Sequence, residues 1–369
     1  MKVKLGDVIQ LNPSEKLPKG ERARKIAMDN LDTYAREISG FDFDECKGGT
    51  KFRNEDTLLA RITPCLENGK TAYVNILEKD EVAFGSTEYF VLRANKELIN
   101  PLYLYYLSVS SDFRTVAIKS MTGTSGRQRV QKEAILNYEF DLPSLKEQER
   151  IVSRIECLDD KKALNDRIND NLDLLLTTIF ENKINNKNFT KAHLTDIATY
   201  RNGLAMQKFR PDDNEQSLPV LKIKELNQGY IDDSSDRCSA EIDESVVVNT
   251  GDIIFSWSGT LLVKNWAGET AGLNQHLFKV TSNNYPEWFI YEWTKHHLQK
   301  FQSIAAGKAT TMGHIKRSDL KSSEVLVPNN DELDKLNTIM KPIYDKRIEV
   351  INENQRLIGI KRILLQRYF

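Results

Sequence analysis

Residues 141–160 read DLPSLKEQERIVSRIECLDD, and residues 326–345, 185 positions further on, read LVPNNDELDKLNTIMKPIYD. Pro143 falls on Pro328, Glu147 on Glu332 and Asp160 on Asp345. The same shift lays residues 100–184 on 285–369 without a gap, matching Pro101 with Pro286, Tyr106 with Tyr291, Glu139 with Glu324, Asn169 with Asn354 and Leu172 with Leu357. A looser match reaches forward, Leu5-Gly-Asp-Val8 answering Leu194-Thr-Asp-Ile197. The chain is one unit written twice, which predicts a pseudo-two-fold molecule suited to a two-part target.

In each copy the quoted proline is followed by a long helix, expected over 145–183 in the first. Its seam at 4,3 spacing is Ile151, Ile155, Leu158, Lys162, Asn165, Asn169, Leu172, Leu176 and Ile179. The second seam is Leu336, Met340, Ile343, Arg347, Val350, Asn354, Leu357, Lys361 and Leu364. Both are apolar at the ends and polar in the middle, and two such helices related by a two-fold axis pack antiparallel. A helix of that length spans roughly 58 Å at 1.5 Å per residue, enough to hold two bodies apart as a strut. Asn169 and Asn354 sit at equivalent seam positions, where buried amides fix register. Pro342 is expected to kink or break the second helix, because it removes a backbone donor.

Ahead of each helix the pattern is mixed α/β. Residues 58–62, 72–77 and 89–92 have strand character, punctuated by Pro64, Asn68-Gly69 and Gly85. Pro101 opens an aromatic helix over 102–120 carrying Tyr103, Tyr105 and Tyr106; its counterpart carries Trp288, Phe289, Tyr291 and Trp293, all read as packing. A loop rich in Gly, Ser and Thr follows in each copy, at 122–129 and 307–314, and then strand-like stretches at 138–143 and 324–328. The fold class is therefore α+β: two pseudo-symmetric mixed domains joined by two long helices in an antiparallel coiled coil. The boundaries fall at 1–142, 143–185, 186–327 and 328–369.

At 369 residues with 40% hydrophobic and 28% charged content, two domains can each bury a core. There is no apolar run of eighteen residues, and Asp7, Gln10 and Asn12 spoil a secretory leader. Cys46, Cys65, Cys157 and Cys238 are scattered, and His296-His297 has no further ligand at metal spacing, so reduced thiols of a cytoplasmic protein are expected rather than zinc or disulfides. Net charge is −1, but its distribution is uneven. Residues 114–132 carry Arg114, Lys119, Arg127, Arg129 and Lys132 with no acid; residues 295–321 carry six lysines and arginines against Asp319. Equivalent basic stretches in both copies point to an anion-binding surface.

Catalytic signatures are missing. Gly69-Lys-Thr71 lacks the upstream glycine of a phosphate loop, having Pro64 there. There is no Pro-Pro dipeptide of an adenine methyltransferase, no Gly-x-Gly-x-x-Gly, and no Gly-x-Ser-x-Gly. Pro211-Asp212 has no Asp/Glu-x-Lys within the next thirty residues, and Ser256-Trp-Ser-Gly259 reads as a structural turn. These absences favour a reader over a catalyst.

Residues 59–70 with Gly85-Ser-Thr-Glu88, the basic loop, the segment 141–148 leading into Ile151, and the paired helices together resemble the specificity subunit of Type I restriction-modification enzymes. The resemblance implies two target-recognition domains, each reading half of a bipartite double-stranded DNA site, with the helices setting the gap. It implies two methyltransferase subunits docked on this chain and motor-nuclease subunits beyond them. S-adenosylmethionine, ATP and Mg belong to those partners, and this subunit has no active site and binds no cofactor. The second copy departs from the pattern: Pro328-Asn-Asn-Asp-Glu-Leu333 loses a Leu and the Gln, and Ser256-Trp-Ser-Gly-Thr260 stands where the first copy has Thr-Pro…Gly-Lys.

Arg127, Gln128 and Arg129 are the best base-edge candidates of the first half, since arginine pairs bidentately with guanine and glutamine with adenine. Arg61, Lys70, Arg114, Lys119, Thr122, Thr124 and Ser125 complete that surface. In the second half the candidates are Asn274, Gln275, Lys300, Lys308, Thr310, Thr311, His314, Lys316 and Arg317. Two other readings remain open: a self-contained DNA-methylating or restriction enzyme, and a helical scaffold that binds no DNA.

Overall fold

The computed structural model describes every residue except 125, 185–188, 213–214, 233 and 308–312. The chain divides into two compact units, Met1–Lys161 with Ile358–Phe369, and Lys162–Leu357.

The first unit contains β1 (Lys2–Lys4), β2 (Ile9–Leu11), β3 (Arg22–Ile26), β4 (Asp42–Glu45), β5 (Lys51–Phe52), β6 (Thr57–Ala60), β7 (Thr71–Tyr73), β8 (Ala83–Gly85), β9 (Tyr89–Ala94) and β10 (Glu139–Asp141). Its helices are α1 (Pro101–Val109), α2 (Ser111–Lys119) and α3 (Lys132–Leu136), followed by the start of α4 (Leu145–Ile184). The strands form an antiparallel sheet β2-β9-β6-β7, a mixed sheet β4-β3-β8-β5 in which β3 and β8 run parallel, and a β1-β10 pair.

The second unit holds β11 (Thr190–His193), β12 (Thr199–Asn202), β13 (Ser217–Leu221), β14 (Arg237–Ser239), β15 (Val247–Val248), β16 (Ile253–Ser256), β17 (Leu262–Asn265), β18 (Ala271–Leu273), β19 (Leu277–Thr281) and β20 (Glu324–Val327). With them are α5 (Leu194–Ile197), α6 (Ile223–Gln228), α7 (Glu287–His296), α8 (Leu298–Ala306), α9 (Arg317–Lys321) and most of α10 (Asn330–Tyr368). Its sheets are β12-β19-β16-β17, β14-β13-β18-β15 and β11-β20, the same order and the same single parallel pairing. The repeat is therefore complete in three dimensions, including the stretches where the sequences have diverged.

Alternation along the central strands explains the layering. Leu58, Tyr89 and Val91 face the mixed sheet and pack with Ile26 and Phe52, whereas Leu59, Phe90 and Leu92 face α1 and pack with Tyr103 and Tyr106. In the second unit Ile254 and Leu277 face the mixed sheet while Phe255, Phe278 and Val280 face Trp288 and Trp293. Period-2 strands buried on both faces place an antiparallel sheet between a sheet and helices. Each such side chain contributes roughly 1.5–3 kcal/mol.

Three expectations need correcting. The aromatic helix expected over 102–120 is two helices: Asn100 caps α1 through Leu102 and Tyr103 N–H groups, and extended Ser110 ends it and caps α2 through Phe113 N–H. The strand expected over 72–77 stops at Tyr73, because Asn54 captures Leu77 in both directions, its Oδ1 accepting from Leu77 N–H at 3.0 Å and its Nδ2 donating to Leu77 O at 2.8 Å. Pro342 does not break α10, which is continuous from Asn330 to Tyr368. The proline lies on the exposed face, and buried Met340 and Tyr344 on either side anchor the helix against a loss of about 3 kcal/mol.

The helices run antiparallel within each unit. In the first, α4 Asp159 meets α10 Lys361 at 2.6 Å and Arg154 donates to Tyr368 at 2.6 Å. In the second, Asn354 donates to Asp166 at 2.8 Å and Arg347 lies 3.4 Å from Asp173. Every residue of the expected seam is buried or half-buried. Asn354 pairs with Asn165, whose Nδ2 donates to its Oδ1 at 3.0 Å, and not with its repeat equivalent Asn169. Antiparallel pairing brings together residues whose numbers sum to a constant, so equivalent residues of the repeat need not meet. The caps of the two helices also differ. Ser144 Oγ accepts from Glu147 N–H in α4, and Asn329 Oδ1 accepts from Glu332 N–H in α10. Gln148, lost in the second copy, is fully buried and clamps the helix start by accepting from Asn100 N–H and donating to Leu98 and Pro143 carbonyls.

α7 carries a buried acid, Glu292, whose Oε2 accepts from Thr177 of α4 at 3.1 Å. Burial pushes its carboxyl up to about 7. An unfolded glutamate titrates near 4.3, so between these values the folded state holds the extra proton and stability falls as pH rises, remaining low above that window. Glu292→Gln is expected to gain on the order of 3 kcal/mol over the parent at pH 8 and almost nothing at pH 4. Denaturant unfolding at the two pH values measures this, and an equal effect at both contradicts it.

Candidate nucleic-acid interface

Beyond the end of β6 at Ala60 the chain runs on as Arg61-Ile62-Thr63, and the loop after α2 folds back onto it. Thr122 and Arg129 exchange backbone hydrogen bonds of 3.0 and 2.9 Å; Val130 N–H donates to Arg61 O at 2.9 Å and Thr63 N–H to Gln128 O at 3.0 Å. Gly123 and Gly126, both at positive φ, make this tight return possible. On the other side Arg61 N–H donates to Glu88 O at 3.0 Å. Three side chains on neighbouring backbones are thereby gathered: Arg61, Glu88 and Arg129.

Arg129 grips Glu88 bidentately, Nε to Oε2 at 3.0 Å and Nη2 to Oε1 at 2.7 Å. Those hydrogen bonds hold the Glu88 carboxyl below its ordinary range. Arg61 has its Nε 3.6 Å from Glu88 Oε2 and its guanidinium 5.0 Å from the Phe90 ring. A guanidinium has two forked edges. With the Nε/Nη2 edge of Arg129 fixed on Glu88, the Nη1/Nη2 edge is oriented for a second bidentate partner.

The other first-half candidates divide by environment. Lys119, Thr124 and Arg127 are exposed and Gln128 is half-buried. Thr122 Oγ1 accepts from Gln131 at 2.5 Å. Lys70 is tied down, donating to Met28 O at 2.8 Å beside Asp29. Arg114 lies 5.0 Å over the Tyr34 ring and donates to Glu67 O at 3.3 Å, against the 62–70 turn. Ser125 lies outside the described residues.

The second unit repeats the backbone strip with other side chains. Trp257 N–H donates to His276 O at 3.3 Å, Ile315 N–H to Trp257 O at 3.1 Å, and Gly259 N–H to Gly313 O at 2.9 Å. Trp257, His276 and His314 thus occupy the positions of Arg61, Glu88 and Arg129. Ser258 Oγ lies 3.0 Å from His276 Nδ1, and Gln275 Nε2 lies 3.3 Å from His276 Nε2. The Trp257 ring is 5.8 Å from Phe278, 5.9 Å from His276 and 6.4 Å from His314. Arg317 stands 5.8 Å over Phe278, the counterpart of Phe90. Asn274 is buried and turned to loop-shaping, its Oδ1 accepting from His276 N–H at 3.3 Å. Lys316 is exposed, and Lys300 donates to Ser323 at 3.3 Å, beside β20 rather than the strip. Lys308, Thr310 and Thr311 lie outside the described residues.

Glu88, Trp257 and His276 were not among the residues expected at the surface. Glu88 does belong to the Gly85–Glu88 segment, but nothing local pairs it with a residue 41 positions away. Among the described residues there is no His/Cys/Asp/Glu cluster able to hold a metal, and no helix long and apolar enough to cross a membrane.

Two units of one strand order, presenting different side chains on one backbone strip, define a tandem α+β repeat protein with long antiparallel helices. The sequence pattern of the Type I restriction modification DNA specificity domain matches residues 1–174 and 186–362, and the chain belongs to that family. It is 40% identical over 115 residues to the Type I restriction enzyme EcoAI specificity subunit of Escherichia coli, covering 31% of this chain and 19% of that protein. To the MjaIX specificity subunit of Methanocaldococcus jannaschii it is 22% identical over 295 residues, covering 71% of this chain and 66% of that one. The chain thus spans less than two thirds of these relatives. The crystal structure of a Type-I restriction-modification system S subunit from M. genitalium matches in fold, with a TM-score of 0.51 and 14% identity over all of this chain and 96% of that one.

Proposed function

We propose that this chain is the DNA-specificity subunit of a Type I restriction-modification complex, its two units each reading one half of a bipartite target. The family match over both repeats supports the reading. The observation that carries it is the substitution of Trp257, His276 and His314 for Arg61, Glu88 and Arg129 on one backbone frame. Identical frames with different readers suit an asymmetric two-part sequence. In this reading residues 1–142 and 186–327 are the recognition domains. The spacer helices, 143–185 and 328–369, set the gap and dock two methyltransferase subunits, with motor-nuclease subunits joining the assembly. The chain is non-catalytic; S-adenosylmethionine, ATP and Mg are bound by the partners, and the complex works in the cytoplasm.

Co-expression with the neighbouring methyltransferase, followed by base-resolution mapping of methylated adenines, tests this. A split sequence with a fixed gap is expected; methylation by the chain alone, or a continuous target, contradicts it.

Arg127 is exposed, and in this reading it serves phosphate rather than a base. Arg127→Ala is expected to weaken cognate and unrelated DNA alike and to reduce the slope of log affinity against log salt by about 1. Salt titrations of both DNAs with the methyltransferase complex check this, and a loss confined to cognate DNA reverses the assignment.

A further inference from the structure

We propose that a basic cleft beside the second strip, formed around Arg210, Lys222, Arg237 and Asn274, holds a phosphodiester of the DNA backbone next to the second half-site. The inference rests on the functional reading above and adds an anchoring site to one of its two halves.

The cleft has a volume of about 300 Å³ and opens at one end of the mixed sheet of the second unit. In that sheet β13 and β18 run parallel, pairing Val220 with Gly272 and Leu221 with Leu273. Lys222 and Asn274 are the residues that follow these strands, and both line the cleft. Asn274 N–H donates to Leu221 O at 3.0 Å and ties the two strand ends together. Carboxyl ends of parallel strands are where α/β sheets leave room for ligands. The edge strand β14 adds Arg237, opposite Pro219, and just before it Asp236. Ser239 N–H donates to Phe209 O at 2.8 Å, so the segment carrying Gln207 and Arg210 runs alongside β14 and closes the other side. Asn274 also accepts from His276 N–H, so the cleft adjoins the strip.

Its charge suits an acceptor-only anion. The carboxylate of Asp236 is balanced by Lys222 Nζ. Arg237 is fixed by donating from Nε to Ser217 Oγ at 2.7 Å and from Nη2 to Ser217 O at 2.6 Å, which leaves its Nη1/Nη2 edge for another acceptor. Arg210 is exposed and supplies a second guanidinium. Guanidinium groups take phosphate oxygens in forked, charge-assisted hydrogen bonds. The first unit has other residues at the same places. By register Ala27 and Ser86 follow the parallel strands β3 and β8, and Phe43 stands opposite Arg24 where Arg237 stands opposite Pro219. The first strip carries Arg61 and Arg129, whereas the second has Trp257 and His314 there. The second half therefore takes its guanidinium charge from the sheet end. Phosphate contacts fix register and orientation without reading sequence.

The test uses the complete complex with its methyltransferase, salt titrations on cognate and unrelated duplexes, and base-resolved mapping of methylated adenines. Arg210→Ala is expected to weaken both duplexes and to lower the slope of log affinity against log salt by about 1, with the methylated sequence unchanged. Arg210→Lys restores the slope, because charge is what a phosphate requires. Cognate duplexes carrying one neutral methylphosphonate locate the contact. One such position beside the second half-site weakens the parent and has no effect on Arg210→Ala, while positions beside the first half act alike on both proteins. An unchanged slope with unaltered thermal unfolding overturns the proposal. So does a relaxed base preference, which makes Arg210 a base reader, or a coupled methylphosphonate beside the first half. Loss of binding to a free deoxynucleoside monophosphate with the slope preserved also overturns it, making the cleft a nucleotide site. Should Arg210→Ala fail to fold, Arg210→Gln is read by the same slope. A parent complex that methylates no split sequence overturns the functional reading itself, an outcome separate from a split parent motif with a slope that Arg210 does not affect.

Discussion

Arg129→Ala in the assembled methyltransferase complex is expected to cost about 1–3 kcal/mol of discrimination at one base pair, roughly 5- to 150-fold, in one half-site only. The expectation rests on rigidity. Of the cations on the first strip, half-buried Arg129 is held by two hydrogen bonds to one carboxylate, and that carboxylate belongs to a residue whose carbonyl is bonded to Arg61. A reader fixed before binding loses little side-chain entropy when it meets a base. Glu88→Ala is expected to reproduce part of the loss of discrimination while affinity for unrelated DNA rises, since a positive charge is released. Methylation mapping paired with affinity for cognate and unrelated duplexes measures both. Equal loss on both DNAs after Arg129→Ala makes it a phosphate contact instead.

Arg347→Ala is expected to lower the stability of the second unit by about 3–5 kcal/mol, the cost of breaking a buried charge network by removing one member. Arg347 is buried on α10. It donates to Asn265 of β17 at 2.5 Å and to Tyr291 of α7 at 2.8 Å, stands 4.7 Å over the Tyr291 ring, and lies 3.4 Å from Asp173 of α4. Its loss strands Asn265 and part of the Asp173 charge away from water. Arg347→Met, which fills the space, recovers the packing but not the polar partners, so an intermediate loss is expected. Denaturant unfolding resolves the two, and a loss below 1 kcal/mol for Arg347→Ala shows that the network is solvated. Because the residue ties β17 and α7 to both long helices, the variant also tests whether that attachment governs the local fold.

Much of the frame was legible because it depends on patterns that repeat. Helix periodicity located α4 to within a residue at its end, and the aromatic stretch after Pro101 was correctly read as core: Tyr103, Tyr105 and Tyr106 are all buried. The break at Ser110 was less visible, since it depends on one hydroxyl competing for Phe113 N–H. Pro342 misled for the opposite reason, because the local penalty of a proline is outweighed by burial of its neighbours. In the front half of the second copy the two sequences share little, yet the strand order is identical. Alternating burial can be met by many apolar residues, so the fold persists where identity does not.

The repeat, the two long helices, the polar seam and the general basic character of the loops are determined by sequence alone, because each is set by spacing along one chain. Which loop residues meet is decided only by tertiary structure. Arg129 finds Glu88, and His314 finds Trp257, through backbone pairing between segments 41 and 57 positions apart, and no local pattern encodes such a distance. Asn165 meets Asn354 for the same reason: antiparallel packing, not the repeat, selects the partner. One frame therefore carries two different sets of side chains.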